Sequence, residues 1–462
     1  MLISRAFVSF GRRSRVGVRG RVAGFVLAAG CLVVAITDPA FASPRSGVEV
    51  SPAMVVSDHC AGPNAEVVQA VGKPDYVYEA WIGCGGEGFA RSTDGGLHFQ
   101  KPITLPDSSR SDDPALAVAP DGTVYVSYLR YFRGYAYPVV ATSFDHGATF
   151  PQAFSLNPHV KGNWGDRDFI AAGRHGTVYV TWDYGPSFAD VKIICSPVGS
   201  CAYRNVDATA VIQKSTDHGK TWGPITHMQP GFPAGGGYDA SVLVQPNGRV
   251  DALIWNHHIN PVTFAVHPGH EYFTSSSDGG RTWSRLVEVG RNAGSIAVLT
   301  WWIDGNLGMD NAGNLYATWA TQTAHSDTSW ISYSTDHGRK WSSPRQVLRG
   351  GANAVEDVEV VGTGSGMAEV AWQADTSPRG YATYLRRFSI ARGWLGPAIR
   401  VSRRFGKPKV WPGDTFGLSA LPGGDRDDGA RQVALSWGSA TAGHKASRIF
   451  TAEVHLPAVG DR

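Results

Sequence analysis

The chain has 462 residues, of which 18% are charged, and its formal net charge is +3. This near balance excludes the strongly basic surface of a nucleic-acid-binding protein. Glycine (56), tryptophan (15) and tyrosine (16) are abundant while helical periodicity is scarce, which indicates a turn-rich all-β protein.

The N-terminal segment has the pattern of an export signal. A basic region that ends at Arg21 is followed by an apolar run from Val22 to about Thr37, and then by Ala40-Phe41-Ala42. The apolar run is too short for a comfortable membrane span. We therefore predict a signal peptide over residues 1–42 and a single mature domain over residues 43–462. The mature chain is predicted to be secreted and monomeric, without an integral membrane segment.

Two variants of this export route remain open. Arg12-Arg13 is the pair expected of a twin-arginine signal, although its flanks match poorly. Ala29-Gly30-Cys31 resembles a lipoprotein site, but the apolar core continues beyond Cys31.

Four cysteines follow the predicted cleavage point, and an even number in an exported chain favours disulfides. Three pairings are possible. Cys195 and Cys201 are close in sequence and are expected to pair, which leaves Cys60 with Cys84. Neither pair has the spacing of a zinc site.

One turn motif recurs five times with the pattern Ser-x-Asp-x-Gly-x-x-aromatic. In this turn the aspartate accepts backbone N–H groups, the glycine permits a positive φ, and the aromatic residue packs beneath the hairpin. The spacing, 51 to 72 residues, suits one four-stranded sheet per copy. The five aspartates are Asp94, Asp145, Asp217, Asp278 and Asp336.

Two further marks extend the repeat from five units to seven. In each unit an acidic residue precedes a short apolar strand, and a second strand ends on an aromatic residue. The acidic marks are Glu66, Asp113, Asp168, Asp239, Asp304, Asp357 and Asp414. The aromatic marks are Trp81, Tyr128, Trp182, Trp255, Trp319, Trp372 and Trp437. We predict a β-propeller of seven four-stranded blades, with six blades plus a degenerate unit as the alternative.

The two ends of the chain are expected to close the ring. The seventh unit has only three strands, the last near Ile449 to Val454. Val48 to Val50 resembles the outer strands of other units and is predicted to supply the fourth strand. Closure of this kind removes an exposed sheet edge.

The five turns resemble the Asp boxes, or BNR repeats, of the sialidase/neuraminidase superfamily, and the resemblance covers roughly Asn64 to Val454. It implies a propeller whose boxes lie on the face away from the active site. Members of the family share an early Arg-Ile-Pro segment, two further arginines and a tyrosine activated by glutamate. Here only Arg167 stands beside an inner-strand start, and Tyr238 beside Asp239 has no evident glutamate partner. No catalytic residue is therefore carried over from the family.

Propeller geometry nevertheless indicates where a site would form. Loops that enter the innermost strands and loops that follow the second strands meet at one face, opposite the boxes. Aromatic rings beside carboxylates at such a face suit sugar ligands. The predicted binding residues are Arg130, Tyr131, Trp164, Tyr184, Asn256, Trp302 and Trp411.

The acidic marks have three interpretations. They cap strands or bond neighbouring blades, they hold a cation such as Ca²⁺, or two of them perform acid–base chemistry. Asp166 and Asp168, which flank Arg167, form the strongest local constellation for catalysis, with Asp183 as a further candidate. An arginine between two acids holds one of them ionised. No other cofactor is predicted.

His257-His258 has two interpretations, a proton-transfer pair and a polar loop. The insertion from Gly185 to Ala208 either covers the upper part of the ring or lies at its rim.

Taken together, these features predict a carbohydrate-active propeller. The favoured function is that of a sialidase-like glycoside hydrolase that acts on extracellular glycans. The alternatives are a lyase acting on a uronate polymer and a non-catalytic propeller that binds glycan or protein.

Overall fold

The computed structural model describes most of the mature chain. The described residues are 47–132, 135–157, 164–185, 192–195, 201–204, 209–228, 236–259, 266–295, 305–322, 327–348, 354–375, 379–407, 410, 412–421, 431–441 and 446–458. The predicted signal peptide lies outside them. Every regular element within these ranges is a β-strand. None of the described residues belongs to a helix that is long and apolar enough to cross a membrane.

The strands form seven antiparallel blades with four strand positions each, and a short parallel pairing joins blades 4 and 5. This arrangement confirms the predicted seven-bladed propeller. The innermost strands, in blade order, are β3 (Ala65–Gly72), β7 (Ser111–Val118), β11 (Trp164–Ala172), β17 (Gly236–Val244), β21 (Asn306–Met309), β25 (Ala354–Gly364) and β30 (Gly417–Ala420). The second strands are β4 (Tyr76–Gly83), β8 (Val124–Phe132), β12 (Val178–Gly185), β18 (Val250–Ile259), β22 (Leu315–Gln322), β26 (Met367–Asp375) and β31 (Arg431–Ser439).

The outer half of each blade completes the sheet. The third strands are β5 (Gly86–Ser92), β9 (Tyr135–Ser143), β15 (Thr209–Ser215), β19 (Val266–Ser276), β23 (Asp327–Ser334), β27 (Tyr381–Ser389) and β32 (Arg448–Leu456). The outermost strands of blades 1 to 6 are β6 (Ile103–Thr104), β10 (Gln152–Ser155), β16 (Thr226–His227), β20 (Val287–Ser295), β24 (Arg345–Gln346), and β28 (Gly393–Trp394) with β29 (Ile399–Arg400).

Blade 7 is closed by the N-terminus, as predicted. Strand β1 (Glu49–Val50) pairs antiparallel with β32, and Val50 faces Val454. Strand β2 (Met54–Val55) pairs with the same strand at Phe450 and Thr451. The two ends of the chain therefore share one sheet, and neither edge of β32 is left bare.

The antiparallel order fixes two faces of the ring. The innermost strands begin at one end, here called the upper face, and the loops between second and third strands return to it. The turns between third and outermost strands lie at the other end, here called the lower face. A candidate site and the repeated turns therefore occupy opposite ends of the molecule.

The core lies between neighbouring blades. All seven aromatic marks are at most 5% exposed, so these large side chains belong to the packing between blades. Burial of such large rings supplies much of the hydrophobic stabilisation. The indole N–H of Trp81 is also satisfied, because it donates to Asn64 Oδ1 at 2.9 Å.

The predicted disulfide between Cys60 and Cys84 is present. It ties the segment before β3 to the turn between β4 and β5. In the insertion of blade 3, strands β13 (Lys192–Cys195) and β14 (Cys201–Arg204) form a hairpin in which Cys195 faces Cys201 in register. Their side chains lie outside the described part of the chain, so this second disulfide stays a prediction.

The five repeated turns at the lower face have the same pattern of hydrogen bonds. In blade 2, Ser143 Oγ donates to Asp145 Oδ1 at 2.7 Å, and Thr149 N donates to the same oxygen at 2.9 Å. Gly147 N donates to Ser143 Oγ at 2.8 Å with a φ of 74°. The same bonds recur in the other four copies. These aspartates are therefore committed to the turns.

Candidate functional site

Four innermost strands carry the same backbone irregularity at the upper face. Each has a β-bulge at its start, and its first bulged residue has a φ between 47° and 52°. A bulge re-aims a side chain and interrupts strand pairing, and a positive φ in a non-glycine residue is uncommon. The four residues, here called the bulge quartet, are Glu66, Asp113, Arg167 and Asp239.

In blades 1, 2, 4 and 6 the acidic mark lies inside the innermost strand, at a bulge, rather than before it. Asp414 precedes β30 as predicted, and Asp304 lies outside the described residues. In blade 3 the bulge position is occupied by Arg167, and Asp168 is the next residue along. The residues equivalent to Asp168 are Val67 in blade 1 and Ala240 in blade 4, and both are fully buried. Asp168 accordingly occupies a core position and is only 4% exposed. Burial raises the pKa of its carboxyl well above the usual range.

Arg167 interacts with an acidic member of the quartet. Its Nη1 lies 3.9 Å from Asp113 Oδ1, and the two side chains are 11% and 16% exposed. The guanidinium also lies over the ring of Phe169, 5.9 Å from the centroid. Asp113 and Arg167 therefore form an ion pair that solvent reaches from the upper face.

Glu66 lies on the other side of Asp113 and is buried. Its pKa is raised well above the usual range, first by burial and then by the charges of Asp113 and Asp414, although Arg167 lowers it. Glu66 and Asp113 share a hydrogen bond. Glu66 is therefore a buried carboxyl group with a raised pKa next to Asp113.

A second carboxyl pair lies where blades 3 and 4 meet. Asp239 N donates to Asp183 Oδ1 at 3.0 Å, and the two side chains share a hydrogen bond. Burial raises the pKa of Asp239 to about 6, although Arg167 and the bond from Asp183 lower it. Burial and the charges of Asp239 and Asp166 raise the pKa of Asp183 well above the usual range. Both carboxyl groups of this pair therefore have raised pKa values.

Asp166 lies between the two pairs and is half-buried. Its Oδ1 accepts a hydrogen bond from Arg167 N at 3.1 Å. Burial, followed by the charges of Asp113 and Asp239, raises the pKa of Asp166 well above the usual range, while Arg167 lowers it. Asp166 is thus a half-buried carboxyl group with a raised pKa next to Arg167.

Two predicted binding residues lie beside this cluster, at the end of β8. Tyr131 donates a backbone hydrogen bond to Arg110 O at 3.0 Å, and its hydroxyl bonds Asp112. Arg130 Nη1 lies 3.5 Å from Asp107 Oδ1, and its side chain is 22% exposed. Both residues therefore border the upper face near Asp112 and Asp113.

Of the other predicted residues, two have described side chains and five do not. Tyr184 is half-buried, and the centroid of its ring lies 6.4 Å from that of His227 in the outermost strand. Asn256 is 6% exposed on β18. The remaining candidates lie outside the described side chains, and their roles stay predictions. They are Trp164, His257, His258, Trp302 and Trp411.

The sequence alone placed Glu66, Asp113 and Asp239 in the acidic ring but did not single them out as candidates. The signal in the sequence was the acidic residue repeated at each strand start. The structure shows that these three residues occupy the bulge. Within the described ranges, no group of three or more His, Cys, Asp or Glu side chains is arranged to hold a metal ion. Calcium binding stays a prediction.

Comparison with known proteins gives similarity of fold. No protein-family model matches the sequence, and no curated protein matches it either. The chain is similar to a protein of unknown function from Dyadobacter fermentans DSM 18053, with a TM-score of 0.51 and 13% identity over 89% of this chain and 100% of that one. It is also similar to an ulvan lyase of a new polysaccharide lyase family, with a TM-score of 0.50 and 12% identity over 86% and 96% of the two chains.

A third similar structure is a leech intramolecular trans-sialidase, with a TM-score of 0.41 and 13% identity over 87% of this chain and 70% of that one. At these identities the shared feature is the propeller architecture. What the chain does at its upper face must therefore be argued from its own residues.

Proposed function

We propose that this chain is a secreted carbohydrate-active propeller that hydrolyses glycosidic bonds of extracellular glycans at its upper face. The observation that carries the proposal is a half-buried carboxyl group with a raised pKa beside a second carboxyl group that is paired with an arginine. Asp166 is half-buried with a raised pKa, and Asp113 lies beside the Arg167 guanidinium. Glycoside hydrolysis needs this combination of one protonated and one ionised carboxyl group.

In the proposed mechanism Asp166 donates its proton to the glycosidic oxygen as the bond to the anomeric carbon breaks. Asp113, which forms an ion pair with Arg167, is proposed to act as the carboxylate on the other side of the sugar. It either attacks the anomeric carbon or takes a proton from an attacking water. The first course retains the anomeric configuration and the second inverts it, so the configuration of the product distinguishes them.

The surrounding carboxyl pairs support this division of roles. Burial and neighbouring charges raise the pKa of both Asp183 and Glu66. A raised pKa in these two groups limits the negative charge that collects around Arg167. The arginine is therefore left to serve the carboxylate that faces solvent.

The test is a panel of sialosides, neutral glycans and uronate polymers incubated with the mature chain. Hydrolysis releases reducing ends. We expect Asp166→Asn and Asp113→Asn each to lower turnover by about 100-fold or more, the usual scale for loss of acid–base catalysis. Asp217→Asn, the same substitution in a lower-face turn, is the matched control and should keep its activity. A wild-type chain that cleaves nothing in the panel would refute the proposal.

The same panel distinguishes the alternative of lysis. One of the similar structures is described as an ulvan lyase, and a lyase needs a base and a cation that neutralises a uronate carboxylate. Tyr131, Arg130 and Arg167 supply those groups at this face. An unsaturated uronate product, detected by its absorbance, would show that the same site performs lysis instead of hydrolysis.

A further inference from the structure

A groove of about 860 Å³ lies on the lower face, between the turns of blades 4 and 5. Its walls come from the segment that follows Asp278 in blade 4 and from the tip of the next turn, His337 to Arg339. The volume lies in the range of sites that bind small ligands, about 300–1,000 Å³. The groove is at the opposite end of the ring from the carboxyl cluster.

The charge of this groove is positive. Arg285 and Arg339 are exposed, and neither has an acidic partner among the described residues. The single acid in the lining is Glu288, which is already bound by Arg291 and lies 3.3 Å from His270. Two uncommitted guanidinium groups therefore face one opening, and each offers several N–H donors in a fork that matches carboxylate or sulfate.

A third arginine holds the groove together. Arg249 Nε lies 2.7 Å from Asp251 Oδ1, and Arg249 Nη2 donates to His337 O at 2.7 Å. Its guanidinium also covers the ring of Phe273, 5.8 Å from the centroid. Arg249 thus ties blade 4 to the turn of blade 5, and its charge is neutralised by Asp251.

The rest of the lining suits a sugar chain. Trp283 is half-buried, packs against the core between blades 3 and 4, and forms part of the wall. Ser275, Ser277 and Thr282 add hydroxyl groups to the same surface. An aromatic wall with hydroxyls and a few fixed charges is the chemistry of a ligand site that orients polar rings.

We propose that this groove binds a segment of an anionic glycan, one that carries uronate or sulfate groups. Arg285 and Arg339 hold the acidic groups, and Trp283 packs against a ring. Two free arginines are few for a nucleic acid, whose duplex carries one charge per about 1.7 Å. The site is independent of the proposed hydrolysis and would anchor the chain to an acidic matrix while the upper face remains open.

The test is titration calorimetry of the mature chain with three hexasaccharide probes. They are hexagalacturonate, a heparin-derived hexasaccharide and neutral maltohexaose. We expect the two anionic probes to bind, more weakly as salt rises, and maltohexaose to bind at least about 10-fold more weakly. The tighter anionic probe identifies uronate or sulfate as the recognised group.

The decisive variant is Arg285→Ala with Arg339→Ala. It should raise the Kd of both anionic probes about 10-fold or more, while turnover of a short substrate at the upper face stays unchanged. The matched control is Lys101→Ala with Arg174→Ala, which removes the same charge from exposed lower-face positions of blades 1 and 3.

Four results would overturn the proposal. They are no binding of either anionic probe, an unchanged Kd in the groove variant, an equal loss in the control, and tighter binding of a DNA duplex than of either glycan. Loss of hydrolysis in Asp166→Asn with unchanged probe binding would separate this site from the catalytic one. A failure of either proposal therefore leaves the other testable.

Discussion

The first bulged position of the innermost strand holds an acid in blades 1, 2 and 4 and an arginine in blade 3. If all four positions held acids, repulsion between the carboxylates would raise their pKa values. Arg167 changes this balance, because it lowers the pKa of Glu66, Asp166 and Asp239 at once. One side chain therefore lowers the pKa of acids that come from three different blades.

Asp239 gives this cluster a measurable pH dependence. Its pKa is about 6 in the folded chain, with burial as the main cause, against about 3.9 when unfolded. The folded state binds more protons between those values, so the free energy of unfolding falls as pH rises from about 4 to about 6. Asp239→Asn should remove this slope, a relative gain on the order of 2 kcal/mol at pH 7.

Urea unfolding at several pH values between 3.5 and 7.5 measures the effect. Asp145→Asn is the control, since the pKa of Asp145 is shifted in the opposite direction and its titration lies below this window. Parallel stability curves for wild type and Asp239→Asn would contradict the assignment. The substitution should also alter the acidic limb of any pH–activity profile, because Asp239 shares a hydrogen bond with Asp183.

At the scale of single elements, each repeated turn is a small cap built around one carboxylate. Partial burial would raise the pKa of Asp145, but hydrogen bonds from Thr149 and Ser143 lower it to about 2. The stability that this carboxylate adds is fully present above about pH 4 and is lost as pH falls towards 2. The turns thus belong to the acid-sensitive part of the fold.

Replacement of this carboxylate tests its role in the turn. We expect Asp145→Asn to lower the free energy of unfolding by about 1 kcal/mol at pH 7, since the turn is exposed and its bonds compete with water. The Tm should fall by about 2 °C, and the difference from wild type should shrink below pH 3. Differential scanning calorimetry across this range measures both, and a constant difference at all pH values would argue against an ionic role.

At the scale of the whole molecule, stability depends on closure of the ring. Ser51 N donates to Glu453 O and Val56 N donates to Ile449 O, each at 2.9 Å. These bonds cross between the first and last residues of the domain. A ring whose last blade is completed by its first strands cannot lose either end without opening a sheet edge.

A shortened chain tests this dependence. A chain that begins at Val56 keeps Cys60 but lacks β1 and β2, and it should unfold at a Tm roughly 5 °C or more below that of a chain beginning at Ser43. We also expect faster proteolysis near β32 and more aggregation, because the exposed edge can pair with other chains. Equal Tm values for the two chains would show that closure does not stabilise the ring.

Much of the architecture follows from local chemistry. The sequence predicted the five turns, the seven aromatic strand ends and the N-terminal closing strand. A tight turn needs its aspartate and glycine, and each blade needs a large apolar side chain to pack against the neighbouring blade. The pairing of Cys60 with Cys84 was predictable in the same way, by elimination among four cysteines. Repetition made these signals strong, since each copy supports the others.

The candidate site was only partly predictable. Asp166, Arg167 and Asp183 were recognised as chemically suitable residues, and the structure brings them together near Asp113 and Asp239. Asp168 was equally suitable by sequence, yet it lies in the core. A bulge adds one residue to a strand, and a shift of one residue moves a side chain to the other face.

The sequence by itself determined the class of fold, the number of blades and the face on which chemistry should be sought. Only the tertiary structure decided which acids meet Arg167, which of them have a raised pKa and which reach solvent. Those properties depend on contacts between residues of different blades and on burial, and neither is encoded in local spacing. The groove between Arg285 and Arg339 belongs to the same category, because its walls come from two separate turns.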